Sequence, residues 1–268
     1  MKSLPVTTFQ GISGFGIVGV ILLAVIFAPF IAPHSDTALV GEVWAPISDK
    51  AWLGLDNLGR DIFSRLLYGG RITLAVAFAA TASMFVLGCS AGFAAAVAGK
   101  WVDTVLARTC DALMAIPTLI FALVLLSIVG SSIPMLIGTL AVLGSTRVFR
   151  ISRALAGNIA AHDYFEAARL RGEGLIWLIF FEVLPNALPP LIAEFGLRLC
   201  SGFLFIAALS FLGLGIQPPL ADWGGMVRDN ASAIMFGGMA PLVPAAAISL
   251  FAVGVNLLVN WAVARRTE

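Results

Sequence analysis

The sequence predicts an all-α protein made mainly of membrane-spanning helices. Three observations carry that expectation. Hydrophobic residues make up 60% of the 268 positions and charged residues only 12%, against about 45–50% and about 25% in a soluble domain. Mean hydropathy is +0.99. Apolar runs of the length that crosses about 30 Å of hydrocarbon, about 20 residues, recur six times along the chain. So little charge cannot clothe a water-facing surface of this size, and most of that surface faces lipid. The formal net charge of +1 gives no reason to expect nucleic acid.

The first span runs from about Gly14 to Ala32. It follows a single Lys2 and ends in Ala28-Pro29-Phe30-Ile31-Ala32-Pro33, which is too bulky for a typical cleavage site, so it reads as a retained helix rather than a removed signal peptide. The second covers Ile72 to Ala98, and the third Ala112 to Val129 with Pro117 in its first turns. The fourth runs from Ile133 to about Phe149, the fifth from Leu188 to Leu214, and the sixth from Pro241 to Ala264. Hydrophilic segments lie at 33–71, 150–187 and 216–240, with short links at about 99–111 and 130–132. The chain therefore divides into an N-terminal helix with an outer segment, 1–71, and a five-helix core, 72–268. No internal repeat of the kind that marks inverted-repeat carriers is visible.

Lys and Arg set the orientation. With the N-terminus inside, the cytoplasmic side holds Lys2, Lys100, Arg108, Arg147, Arg150, Arg153, Arg169, Arg171, Arg265 and Arg266. The outer side holds Lys50, Arg60, Arg65, Arg71 and Arg228, with more acidic residues than basic ones: Asp36, Glu42, Asp49, Asp56, Asp61, Asp222 and Asp229. Both termini are expected in the cytoplasm, as an even number of spans requires.

The residue inventory argues against an enzyme or a resident metal. Cys89, Cys110 and Cys200 lie in or beside apolar runs without C-x-x-C spacing and read as small packing residues. His34 and His162 stand far apart. Neither H-E-x-x-H nor G-x-S-x-G occurs. The run from Ala94 to Trp101 ends in Gly99-Lys100 but lacks the first Gly and the final Ser or Thr of a P-loop. No cofactor is expected on this chain. Gly88 and Gly92 form G-x-x-x-G in the second span, a spacing that lets helices pack closely.

Residues 163–190 read as helix, break, helix, break. Glu166 to Arg171 are good helix formers, and Gly172 and Gly174 can take the positive φ of a sharp helix end. Leu175 to Val183 is apolar but too short to span. Pro185 is expected to end it, with Pro189 and Pro190 at the start of the next span. A short helix standing out from a membrane can dock into a groove on a soluble partner, or be a plain connection.

Here the sequence resembles a known family. Glu166-Ala167-Ala168, three residues, Gly172, and then Leu184-Pro185 look like the EAA loop of ABC importer permeases. Three further stretches resemble the C-type permease of the dipeptide/oligopeptide/nickel family, in the same order. They are Trp52 to Arg65 (WLGLDNLGRDIFSR), Asp111 to Pro117 (DALMAIP) and Leu209 to Pro219 (LSFLGLGIQPP), with Trp223-Gly224 just after. The resemblance covers roughly residues 50–260. Glu182, the apolar run Ile176 to Phe181, and Val259-Asn260-Trp261 after Asn256-Leu257-Leu258 depart from the family pattern.

The resemblance implies a type I importer (MetI-like) permease in a bacterial cytoplasmic membrane. It implies a second permease subunit, two cytoplasmic ATPase subunits that carry ATP and Mg, and an extracytoplasmic binding protein. Cargo in that family is short peptides, nickel or metal chelates with small carriers. The 150–187 segment becomes the coupling loop, with Glu166, Ala167, Ala168, Gly172, Leu184 and Pro185 as coupling residues. Glu166 serves either the ATPase or its own helix. In the outer segment, Asp56 is expected to cap a helix opened by Leu58, and Arg60 to pair with Asp61. Asp56, Arg60, Asp61 and Trp223 also lie on the side that meets the binding protein. Glu194 and Arg198, spaced i,i+4 in the fifth span, either line the pathway or lock that span against a neighbour. The competing readings are an ion-coupled carrier or channel, for which Glu194 is the one candidate carboxylate, a membrane enzyme, and a scaffold that only recruits an ATPase.

Overall fold

The computed structural model describes residues 6–267, with side chains from Phe9 to Ala264. Lys2 and the side chains of Arg265 and Arg266 lie outside the described residues. The order is α1 (Val6–Ile26), α2 (Ala28–Ile31), α3 (Ile62–Val97), α4 (Lys100–Met114), α5 (Thr118–Val129) and α6 (Ile133–Ala160). Then come α7 (Asp163–Leu170), α8 (Leu175–Trp177) running through a π turn (Leu178–Val183) into α9 (Leu184–Phe211), α10 (Trp223–Asp229), a 3₁₀ turn (Ala231–Phe236) and α11 (Leu242–Thr267). Among the described residues there is no β-strand, only isolated bridges such as Leu39 with Arg60 and Leu55 with Asp61. Among the described residues, five helices are long and apolar enough to cross a membrane: Phe9–Ile26, Ile62–Val97, Ile133–Ala160, Leu175–Phe211 and Leu242–Ala264. A sixth crossing is counted if α4 and α5, bent by 86°, form one broken span.

Several boundaries differ from expectation. The third span is not one helix. Pro117 lacks an N–H and pushes Ile116 out of the helical region, so α4 stops at Met114 and α5 restarts at Thr118. The second span starts ten residues earlier than expected, at Ile62, because Asp61 accepts from Phe63 N (3.2 Å) and Ser64 N (3.0 Å) and so caps α3. The fourth span continues to Ala160, so Arg150 and Arg153 sit on helix rather than loop. Pro185 does not end the apolar stretch. The π turn closes with Leu184 N–H donating to Ile179 O, five residues back. Widening the helix there relieves the clash a proline ring makes with the carbonyl four residues earlier, and α9 continues with Pro189 and Pro190 inside it.

The chain divides into two compact units. Among the described residues, the first comprises 6–78, 126–136 and 199–267. In it α1 lies on α11 through glycines. A Cβ on Gly14 would fall 3.0 Å from Leu258 N, and one on Gly254 would fall 2.9 Å from Ile17 Cγ2. Phe15 meets Trp261 edge-on at 5.3 Å between centroids. Trp223 is fully buried, edge-on to Phe203, which also meets Phe251 at 4.8 Å.

The second unit comprises residues 79–125 and 137–198. Here α3 packs on α6. A Cβ on Gly92 would fall 2.7 Å from Ser152 Cβ, and Gly88 is as tightly placed one turn earlier. The close approach that G-x-x-x-G spacing permits is therefore present. Phe93, Ala156, Phe165, Ala168, Leu178, Val183, Ala187 and Leu191 form one buried cluster in this unit.

Candidate functional site

In the second unit the chain leaves α6 at Ala160, turns through Ala161 and His162, and forms the eight-residue α7. Asp163 and Glu166 lie in its first turn and Arg169 in its last, the arrangement that complements the helix dipole. Phe165 and Ala168, spaced i,i+3, face inward and are 4% and 0% exposed. They anchor α7 on Phe93, Ala156, Leu178 and Val183. The other face carries Glu166, Ala167 and Leu170, all exposed, with Leu170 at 82%.

The end of α7 is a Schellman turn. Gly172 N–H donates to Arg169 O (3.0 Å) and Glu173 N–H to Ala168 O (3.4 Å). Gly172 sits at φ +86, and a Cβ there would meet nothing within 4 Å. Its requirement is thus one of backbone conformation, not of space. Gly174, also expected at positive φ, is instead extended (φ −77, ψ 162) as the residue before α8.

Of Glu166-Ala167-Ala168, then, the first two present themselves to solvent and the third is built into the chain's own core. Leu184 is half-buried, and Pro185 is exposed in the first turn of α9. Leu170 was not singled out by the sequence. An apolar residue between Arg169 and Arg171 on a helix of charged residues was its signal.

Glu194 and Arg198 pair with each other on α9, Arg198 Nε donating to Glu194 Oε1. Their side chains are 12% and 21% exposed. The pair closes within one turn of α9, so each charge finds its counter-ion on the helix that carries it.

The 33–61 segment, expected on the outer side, belongs to the first unit and is built around two carboxylates. Asp56 accepts from Leu58 N (2.8 Å) and Arg60 N (2.9 Å), pairs with Arg60 Nε (2.8 Å) and lies 3.2 Å from Arg65 Nε. Arg65 also donates to Asp36 O (2.8 Å). Two expectations are corrected here. No helix opens at Leu58, so Asp56 closes a turn rather than capping a helix. Arg60 pairs with Asp56, one turn away, and Asp61 is committed to Ser64 and the start of α3.

Asp56, Arg60 and Asp61 are 1%, 9% and 1% exposed and Trp223 is 2% exposed. Trp223 donates from Nε1 to Leu66 O (2.8 Å), and its N–H donates to Thr73 Oγ1 (3.2 Å). All four side chains are turned into this unit.

Asn230, which the sequence did not flag, joins the 33–61 segment to the one that carries α10. Its Oδ1 accepts from Asn57 N (2.9 Å) and Trp44 Nε1 (3.3 Å), and its Nδ2 donates to Met226 O (2.9 Å). A cavity of roughly 240 Å³ opens between the same segments, with Arg60, Arg65, Asp222, Arg228 and Asp229 in its wall. Asp222 caps α10 by accepting from Gly225 N (3.0 Å). Burial pushes its carboxyl above the usual range, against the opposing pull of the Gly225 N–H, the Ser210 hydroxyl and Arg228.

The family described as binding-protein-dependent transport system inner membrane component matches residues 84–265. The dipeptide transport system permease protein DppC of Alkalihalophilus pseudofirmus is 31% identical over 92% of this chain and 82% of that protein. The probable D,D-dipeptide transport system permease protein DdpC of Escherichia coli is 32% identical over 96% of this chain and 85% of that protein. The glutathione transport system permease protein GsiD of Pectobacterium atrosepticum is 33% identical over 79% of this chain and 70% of that protein. A solved structure of an amino acid ABC transporter with histidines shares the fold, with a TM-score of 0.56, 20% identity, and coverage of 76% of this chain and 94% of that one.

Proposed function

This chain belongs to the binding-protein-dependent transport system inner membrane components, the permease subunits of ABC importers, and from that premise we propose that it carries short peptides inward and takes its driving force through α7. It is a multi-pass inner-membrane protein and a transport component. Peptide cargo is supported by the permeases named above, whose descriptions read dipeptide, D,D-dipeptide and glutathione transport. None of those three descriptions names nickel or a metal chelate, so the cargo proposed is peptide alone.

The observation that carries the coupling assignment is the two-sided build of α7. Its inner face, Phe165 and Ala168, is locked into the core, while Glu166, Ala167 and Leu170 stand free at the knuckle that Gly172 closes. A helix held rigidly on one side and bare on the other can pass a push from a docked subunit into α6 and α8. Two ATPase subunits bind ATP with Mg and close on one another, moving the α7 of this chain and the loop of a second permease. The pathway then opens to a loaded binding protein outside. In this reading α7 and both termini lie in the cytoplasm. An ion-coupled carrier finds less support, because Glu194 is already matched by Arg198.

The test is co-purification of the ATPase subunits with the assembled transporter, together with ATP-driven peptide uptake in vesicles. Ala167→Asp and Leu170→Asp are expected to release the ATPase and abolish uptake while the permease still inserts. Retention of both the ATPase and uptake in the two variants overturns the reading.

A further inference from the structure

Helix α4 is the element this mechanism leaves unused. Its fifteen residues include no buried one. It begins three residues after α3 ends and meets α5 at 86°. An α5 that crosses the membrane therefore lays α4 nearly flat along the surface. The lengths agree with that placement. The twelve residues of α5 reach about 18 Å, well short of the roughly 30 Å hydrocarbon core. A flanking helix sunk about 5–10 Å into the headgroup boundary shortens the distance α5 must cover.

The side chains of α4 are sorted in the same sense. Trp101, Val105 and Ala112 form one exposed strip, with Trp101 at 79% and Val105 at 43%. Lys100, Thr104 and Arg108 form the exposed strip beside it. The two acids of the helix are taken up by α6, Asp103 by Arg153 and Asp111 by Arg150. The unmatched charge that α4 shows outward is thus positive, beside an indole of the kind that favours the headgroup level.

We propose that α4 is an interfacial helix that seats on anionic lipid, with Trp101 and Val105 at the acyl boundary and Lys100 and Arg108 on lipid phosphates. The occupant is lipid rather than a protein partner because the helix continues directly from a membrane span and turns directly into an apolar one. Through its two ion pairs the same contact steadies the end of α6, the helix that leads into α7.

The test uses the assembled transporter in vesicles of phosphatidylethanolamine and phosphatidylglycerol, with Cys89, Cys110 and Cys200 replaced by alanine. A nitroxide is placed singly at positions 101, 104, 105, 108 and 112. Collisions with oxygen, which concentrates in lipid, are compared with those of a water-soluble chromium complex. Labels at 101, 105 and 112 are expected to favour oxygen several-fold over that at 104, with 108, nearly in line with 101 at i,i+7, in between. In a second measurement, Lys100→Gln with Arg108→Gln is expected to abolish the preference of the transporter for spin-labelled phosphatidylglycerol over phosphatidylcholine. Free access of the chromium complex to 101 and 105, shielding of both positions from both reagents by a protein partner, or an unchanged lipid preference each overturns the proposal.

Discussion

Gly88 of α3 lies so close to Val148 of α6 that a Cβ on the glycine would fall 2.6 Å from the valine Cβ. Such a Cβ would also fall 2.8 Å from the backbone oxygen of Ser145, and one on Gly92 would fall 2.8 Å from that of Phe149. Neither a rotamer change nor a small side-chain movement relieves such a contact. Gly88→Ala and Gly92→Ala are each expected to cost about 1–3 kcal/mol, read as a lower unfolding temperature of the detergent-solubilised chain. Gly157→Ala is the control. It lies on α6 facing open space, and its gain in helix propensity is up to about 1 kcal/mol. Equal behaviour of the three variants would contradict the close approach.

Asp56 holds two guanidinium groups and two backbone N–H groups while almost fully buried. Its removal leaves Arg60 and Arg65 without their paired carboxylate, a loss of about 3–5 kcal/mol. Asp56→Asn is expected to open the 33–61 segment to trypsin at Lys50 and Arg60. Asp61→Ala, which removes the cap of α3, costs about 0.5–2 kcal/mol and is expected to open it less. The reverse ranking would count against the arrangement around Asp56.

Asp222 titrates above the ordinary carboxylate range because it is desolvated. Its folded pKa lies above its unfolded value, so as pH falls through that raised value the folded state takes up a proton that the unfolded state does not. The stability of the outer segment is expected to rise as pH is lowered through that window, and to be least above it, where the charge sits buried. Asp222→Asn keeps an oxygen for Gly225 N–H and is expected to flatten this dependence. Thermal unfolding of the two proteins across a pH series is the measurement, and parallel curves would refute the assignment.

The Glu194–Arg198 pair lowers the cost of placing two charges in a span. Glu194→Gln or Arg198→Gln leaves one charge unmatched, a penalty of up to about 3 kcal/mol at mid-membrane depth. Each single variant is expected to lower expression and uptake, and the double variant to recover both. Recovery of expression without uptake would assign the pair to the transported substrate.

Much of the fold was legible because lipid imposes a single demand, apolar length, that a sequence displays openly. Five of the six expected crossings, the positive φ of Gly172 and the close packing at Gly88 and Gly92 all follow from such local signals. The misses share a different cause. Arg65 and Arg71 interrupt the apolar run at the start of α3, yet Arg65 is balanced by Asp56, a partner that hydropathy does not see. Arg150 and Arg153 looked like loop residues until Asp111 and Asp103 on α4 were found opposite them. Pro185 looked like a terminator because the π turn that accommodates it has no sequence signature of its own. In the 163–190 segment, spacing identified which residues form the motif. Only packing separates Ala168, which is buried, from Ala167, which is bare.

The interlock of α1 with α11 joins a helix to one that leaves the ribosome about 240 residues later. At about 5–20 residues per second, Gly14 waits roughly ten seconds to a minute for Leu258 to appear. During that interval α11 is absent and Gly11 and Gly14 lack the partner that covers them, although α3, whose Gly70 lies against Val25, is already made. The lack of charge in α1 from Val6 to Ile26 suits that vigil. A lysine on its α11-facing side would find no room against Trp261 or Leu258 in the finished protein and would also burden insertion of the helix, so biogenesis constrains this face along with packing.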